Sequence, residues 1–211
     1  MPRSKTKVYT PSNVSATYFI SNATGATWTL TNTATPDNLA HKVSIHNDSA
    51  TDHSGKTALL TGTDENGNNQ TETLALPGSS ATVTSTKYFQ TLTSVIPSAT
   101  IGADTMDIGY TSAFISQWFL LNYHDRQGRA SFVCTVTGTI NYTVQQTQDN
   151  IYDDTYSAIF ANIDDTTLVN ETTSQNGGYE TTPVAIRIVI NSYSSGASLR
   201  FDLLNTGYRQ V

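Results

Sequence analysis

Side chains able to do chemistry are few in this chain, and each can be weighed in turn. Four histidines, His41, His46, His53 and His124, are the candidate proton carriers or metal ligands. His41 and His46 fall five apart on an alternating apolar run, so a strand there points them to opposite faces. No Cys or Glu stands beside them at ligand spacing, and they read as loop or surface histidines. The one cysteine, Cys134, lies in the strand pattern Phe132-Val133-Cys134-Thr135-Val136 and is expected to be a buried thiol, not a nucleophile. With no second cysteine there is no internal disulfide and no mark of an oxidising compartment.

The carboxylates come next. Asp64-Glu65-Asn66-Gly67-Asn68 looks like part of a calcium loop, but its glycine comes too early for the D-x-[DN]-x-[DN]-G pattern, so it reads as a turn. Asp149, Asp153, Asp154, Asp164 and Asp165 place five acids within 17 residues. Such a set could hold calcium, or supply the paired carboxylates of a glycosidase, or form a solvated loop or a face for a basic neighbour. The last two are the expectation. There is no G-x-S-x-G elbow, no P-loop and no G-x-G-x-x-G. No catalytic, cofactor-binding or metal-binding residue is assigned, and no cofactor is expected. The sequons at Asn13, Asn22, Asn69, Asn141 and Asn170 carry no assignment in a Thr- and Asn-rich chain without a signal peptide.

What must position these groups is a β scaffold. Charged residues make up only 13% of the 211, and Thr, Ser and Asn take their place, which is poor helix material. The stretch Thr57 to Ile96 organises the chain: two alternating runs flank the Asp64–Asn69 turn, where Asn66-Gly67 favours an antiparallel return, and a second turn follows at Pro77-Gly78. Short strands and turns recur along the chain in the all-β rhythm. The fold class expected is all-β: an extended arm over 1–16, then two small antiparallel β-sandwiches of jelly-roll or immunoglobulin-like type over 17–112 and 113–211. A hairpin is expected about Asn22–Gly25. Another is expected to close the chain, with Val184–Ile190 and Leu199–Leu204 about Ser194–Gly196 and Arg187 opposite Asp202. Residues 147–167 are either a long excursion or hold a short helix over Tyr156–Phe160.

Charge and apolar distribution bound the partners. The net charge is −6, with −2 on residues 1–112 and −4 on the remainder, which argues against a nucleic-acid partner. No run nears the roughly 18 apolar residues of a membrane helix, the longest apolar patch being Trp118-Phe119-Leu120-Leu121, so no membrane partner is expected. Arg3, Lys5 and Lys7 make the start of the chain basic. With Tyr9 they form one candidate partner interface, expected to be disordered when free and ordered against an acidic neighbour. Trp118 and Phe119, in an apolar run with more bulk than one sandwich face needs, form the other, and a homo-oligomer with a closed interface is expected.

One resemblance adds to this. Thr61-Gly62-Thr63-Asp64-Glu65-Asn66-Gly67, followed by Thr71-Glu72-Thr73-Leu74 and Lys87-Tyr88-Phe89-Gln90-Thr91, resembles a recurring domain of tailed-bacteriophage virion proteins. Thr137 to Thr147 (TGTINYTVQQT) and Pro183-Val184-Ala185-Ile186-Arg187-Ile188 are similar to a second phage structural type. The family implies a small β-sandwich, non-enzymatic component of the head, neck or tail. Capsid decoration or cement is its first expectation, and a neck or tail ring its second. The implied partners are the major capsid protein or the neck and tail proteins of the same virion. The implied place is the virion, made in the host cytoplasm and released by lysis. A carbohydrate-binding or glycan-degrading tailspike module is the alternative from another class, with Tyr152, Asp153, Asp154 and Tyr156 as its best residues.

Overall fold

The computed structural model describes residues 3–121, 129–152 and 158–206. Among them the chain is all β, with antiparallel strands and a single 3-10 turn at Thr166–Leu168. It divides into two compact units, Ser12–Ile115, and Met1–Pro11 together with Ser116–Val211. The first strand, β1 (Arg3–Tyr9), therefore belongs to the unit built by the C-terminal half.

The middle unit holds β2 (Ser15–Ala23), β3 (Ala40–Asn47), β4 (Thr57–Thr63), β5 (Asn69–Ala75), β6 (Thr82–Phe89), β7 (Thr91–Pro97) and β8 (Met106–Ile115). One sheet runs β2-β8-β3-β6 and the other β5-β4-β7. Alternation decides which side chains meet: Val43, Ile45, Met106 and Ile108 of the first sheet share a core with Ala58, Leu60, Leu92 and Val95 of the second. Fully burying an aliphatic side chain is worth about 1.5–3 kcal/mol, so this apolar layer is what holds the sheets face to face. The β4–β5 hairpin forms where the turn chemistry calls for it. The Asp64 carboxylate accepts the N–H groups of Asn66 (2.8 Å) and Asn68 (2.9 Å), and Gly67 sits at φ +84°. Gly62 is required for another reason: a Cβ there would lie 1.9 Å from the Thr91 carbonyl oxygen, where the β4–β7 register shifts.

The second unit joins β1 to β9 (Phe119–Leu120), β10 (Arg129–Thr137), β11 (Ile140–Thr147), β12 (Ala161–Asn162), β13 (Gln175–Tyr179), β14 (Ala185–Tyr193) and β15 (Ser198–Thr206). Its outer strands β1 and β13 flank β15 and β10 in one sheet, while β12, β11, β14 and β9 pair in another. The Phe201 ring, fully buried on β15, touches Phe119 of β9 at 4.8 Å and Phe132 of β10 at 5.5 Å between centroids, and so joins the two layers.

Three expectations are corrected. The N-terminal arm is a strand: β1 pairs with β15 along its whole length, from Arg3↔Asn205 to Tyr9↔Leu199. Backbone pairing to a partner nearly two hundred residues away leaves no local signature. The closing hairpin is not one. β14 pairs with β11 and β9, whereas β15 pairs with β10 and β1, and the Ser194–Gly196 turn, with Gly196 at φ +76°, carries the chain from one sheet to the other. The reason is burial. Ile186, Ile188 and Ile190 on one strand and Leu199, Phe201 and Leu203 on the next are all buried, and folding one layer over the other lets those faces cover each other. Finally, the hairpin about Asn22–Gly25 has only its first limb, β2. The return is irregular, with Trp28 buried in the core and Thr31 N–H bonded to the Phe19 carbonyl at 2.7 Å.

Candidate functional site

Of the candidate interface residues at the start of the chain, Tyr9 is corrected outright. It is 3% exposed, its hydroxyl bonds Ser116, and burial pushes its pKa well above the ordinary tyrosine value. Lys5 and Lys7 are exposed. They lie opposite Leu203 and Phe201 in register, on the same side of β1 as Tyr9. Lysines facing inward on an open edge deter a second strand from adding there. The Arg3 side chain lies outside the described residues.

Trp118 and Phe119 are half-buried within their own unit. Trp118 stacks on Phe160 (6.2 Å, 23°), and the Arg187 guanidinium caps the other partner of that stack, 4.1 Å from the Phe160 ring centre. Arg187 Nε donates to Gln145 Oε1 at 2.9 Å. Asp202 instead accepts from Arg200 Nε and from the Thr6 hydroxyl, each at 2.6 Å, so the Arg187–Asp202 pair expected across a closing hairpin does not form.

Sequence reasoning missed the two histidine–aspartate ties, both in the Ser12–Ile115 unit. His41 is fully buried on β3. Its Nδ1 lies 2.8 Å from the Thr111 carbonyl oxygen and its Nε2 lies 3.1 Å from Asp37 Oδ2. Both partners accept, so both nitrogens are satisfied together only when each carries a proton. Asp37 also takes the N–H groups of Ser12 (2.8 Å) and Leu39 (3.1 Å). Burial raises the Asp37 pKa, but the His41 hydrogen bond and charge and the two backbone donors outweigh it, leaving the carboxyl below its ordinary value. The pair thus ties β3 to both ends of the unit, at Ser12 and Thr111. The neighbouring Tyr110 hydroxyl adds a 2.6 Å bond to the Asn13 carbonyl.

His53, 3% exposed, is held between one acceptor and one donor. Its Nε2 meets Asp104 Oδ2 at 3.0 Å, and its Nδ1 faces Lys56 Nζ at 3.1 Å, which also donates to the Thr100 carbonyl at 2.7 Å. The expectation of loop or surface histidines therefore fails for His41, which is buried on a strand, whereas His53 lies in a loop but is buried there. Asp37 and His41 stand four apart in an irregular-to-strand transition, and His53 and Asp104 are 51 apart, so neither pair shows in the sequence. In both, each ring nitrogen has a partner already. Neither ring is arranged to exchange a proton with a bound molecule. His46 is partly exposed beside Asp48 and Thr82, and His124 lies outside the described residues.

The acidic stretch is only partly described. Asp149 Oδ2 accepts Ile159 N–H at 2.7 Å, and Asp165 caps the 3-10 turn through Thr167 N–H at 3.0 Å. Tyr152 is 66% exposed, while Asp153, Asp154 and Tyr156 lie outside the described residues, as do the first two residues of the helix expected over 156–160. Ala158–Phe160 is irregular. Among the described residues no group of three or more His, Cys, Asp or Glu is placed to hold a metal ion, and no helix is long and apolar enough to cross a membrane. Cys134 is fully buried beside Tyr142, and burial pushes its thiol up to about 12.

The outer faces of the middle sandwich differ. The outer side of β3 and its neighbours carries Lys42, His46 and Asp107. The outer side of β5-β4-β7 carries Thr57, Leu59, Thr61, Thr71, Thr73, Ala75, Ser94 and Ile96, with no charged residue in the patch. Leu59 (40% exposed) and Ile96 (55%) stand opposite each other in register. No protein-family model matches the sequence, and no curated protein matches it.

Proposed function

We propose that this chain is a non-enzymatic structural component of a bacteriophage virion, first as a capsid decoration or cement protein and second as a neck or tail ring component. The observation that supports it best is the way the described ionisable groups are used. His41, His53, Asp37 and Asp104 fasten strands and loops to one another, and the surfaces they leave are sheets of Thr, Ser and Asn side chains suited to packing against other proteins. The residues of the phage-like motif serve the same end. Gly62 admits the β7 backbone, and Asp64 with Gly67 makes the β4–β5 turn.

The test is mass spectrometry of purified particles produced with and without the gene for this chain. Copies in the hundreds per particle support capsid decoration, and a number matching one ring supports the neck or tail. Absence from the particle overturns the proposal. The glycan-module alternative has one exposed aromatic in its favour, Tyr152, and predicts glycan-array binding lost in Tyr152→Ala.

A further inference from the structure

We infer that the outer face of β5-β4-β7 is a self-association surface whose occupant is the same face of a second copy of this chain. Three observations carry this. First, the chain bears a net charge of −6, so two copies repel wherever their carboxylates approach, and this sheet face presents none. Second, an interface around a two-fold axis sets each residue near the axis against itself or its row neighbour. A carboxylate or ammonium cannot meet its own kind, but a threonine hydroxyl both donates and accepts, and an aliphatic side chain packs on another. The rows here are of that kind: Thr61 opposite Thr71 and Ser94, and Leu59 opposite Thr73 and Ile96. Third, Leu59 and Ile96 are the two large apolar side chains of this sheet left exposed, and they adjoin each other at its centre and edge.

Size sets the strength. Three strands at about 4.8 Å spacing and seven residues at about 3.3 Å each cover roughly 300 Å². A stable pairwise interface takes about 800 Å² from each partner. The face therefore gives a weak, concentration-dependent dimer in solution that becomes firm only when many copies are held side by side, as multivalent contacts do. This goes beyond the virion reading and does not depend on it, because a virion protein that stays monomeric in solution would sink this inference and leave that reading standing.

The experiment is sedimentation velocity of the full chain from low-micromolar to near-millimolar concentration, at low and moderate salt. The wild type is expected to show a sedimentation coefficient that rises with concentration. Ile96→Lys should lose that rise, because it puts an ammonium group into an otherwise uncharged contact, where it would have to shed its water unpaired. Val133→Lys, at an exposed apolar position on β10 of the other unit (43% exposed), should keep it. Both substitutions sit at exposed sites, and circular dichroism confirms that each variant is folded. A wild type that stays monomeric throughout, or an Ile96→Lys protein that associates like the wild type, overturns the inference. So does a monomeric wild type whose binding to another protein is lost in Ile96→Lys, which would give the face to a different occupant.

Discussion

The two compact units bury different kinds of titratable group. In Ser12–Ile115 it is a carboxylate against an imidazole, Asp37 beside His41, with His53 bonded to the more exposed Asp104 nearby. In the unit formed by the chain's two ends it is a set of neutral acids, Tyr9, Cys134, Tyr142 and Tyr179, each pushed up by burial. A carboxyl held low in the folded state adds stability above its unfolded pKa and gives it up as pH falls through the folded value. A phenol or thiol held high adds stability below its unfolded pKa and gives it up as pH rises toward the folded value. The middle unit should therefore weaken first in acid, through Asp37, and the other first in alkali. The contrast is one of degree, since Tyr110 of the middle unit is also raised to about 12, and in the other unit the partly exposed Asp202 is lowered by the Thr6 hydroxyl and Arg200, and Glu171 by the Thr173 hydroxyl and two backbone N–H groups.

The sharpest way to separate the units is to empty one core. Phe201→Ala should cost about 3–5 kcal/mol. Hydrogen exchange should show amide protection falling in β15, β10 and β1 while β3 and β8 keep theirs. Asp37→Ala should cost about 3 kcal/mol, since it strands the buried His41 ring without its acceptor. Here the loss should appear in β3, β8 and the residues following Ser12, and the acid limb of the unfolding profile should flatten. If protection falls equally in both units, the contrast is wrong. Without any substitution, hydrogen exchange across a pH series should show the middle unit opening as pH drops below the usual carboxylate range and the β1-β15-β10-β13 sheet opening above pH ~10, where unfolded tyrosine ionises. The smallest effect is expected from Arg200→Ala, which removes an exposed partner of Asp202. Denaturant titration should find under about 1 kcal/mol, reduced further by salt.

Alternation and turn residues carried the fold class, and they placed β3, β4, β5 and β10 because those signals are local. Which strands pair is not local. Val184–Leu204 has the pattern of a hairpin and of a fold-over alike, since both need one buried face per strand, and only the facing layer decides between them. The same limit hid the site. Tyr9 carries an apolar ring among polar neighbours, which as sequence fits an anchor for a partner as well as one for the chain's own core. The burial of Cys134 was legible because Phe132, Cys134 and Val136 share one face of a regular strand. His41 and Asp37 were not, because their bond depends on how an irregular segment returns to β3.

The pairing of β1 with β15 has a consequence for synthesis. β1 cannot find its partner until β15 has left the ribosome, roughly 200 residues later, or about 10–40 s at 5–20 residues per second. The middle unit, by contrast, has all its strands once Ile115 has emerged. Through that interval β1 is an unpaired edge on a nascent chain, at the greatest hazard of joining a neighbour on the same message. Lys5 and Lys7 keep it soluble while it waits, and the unit closes only once β15 has been made.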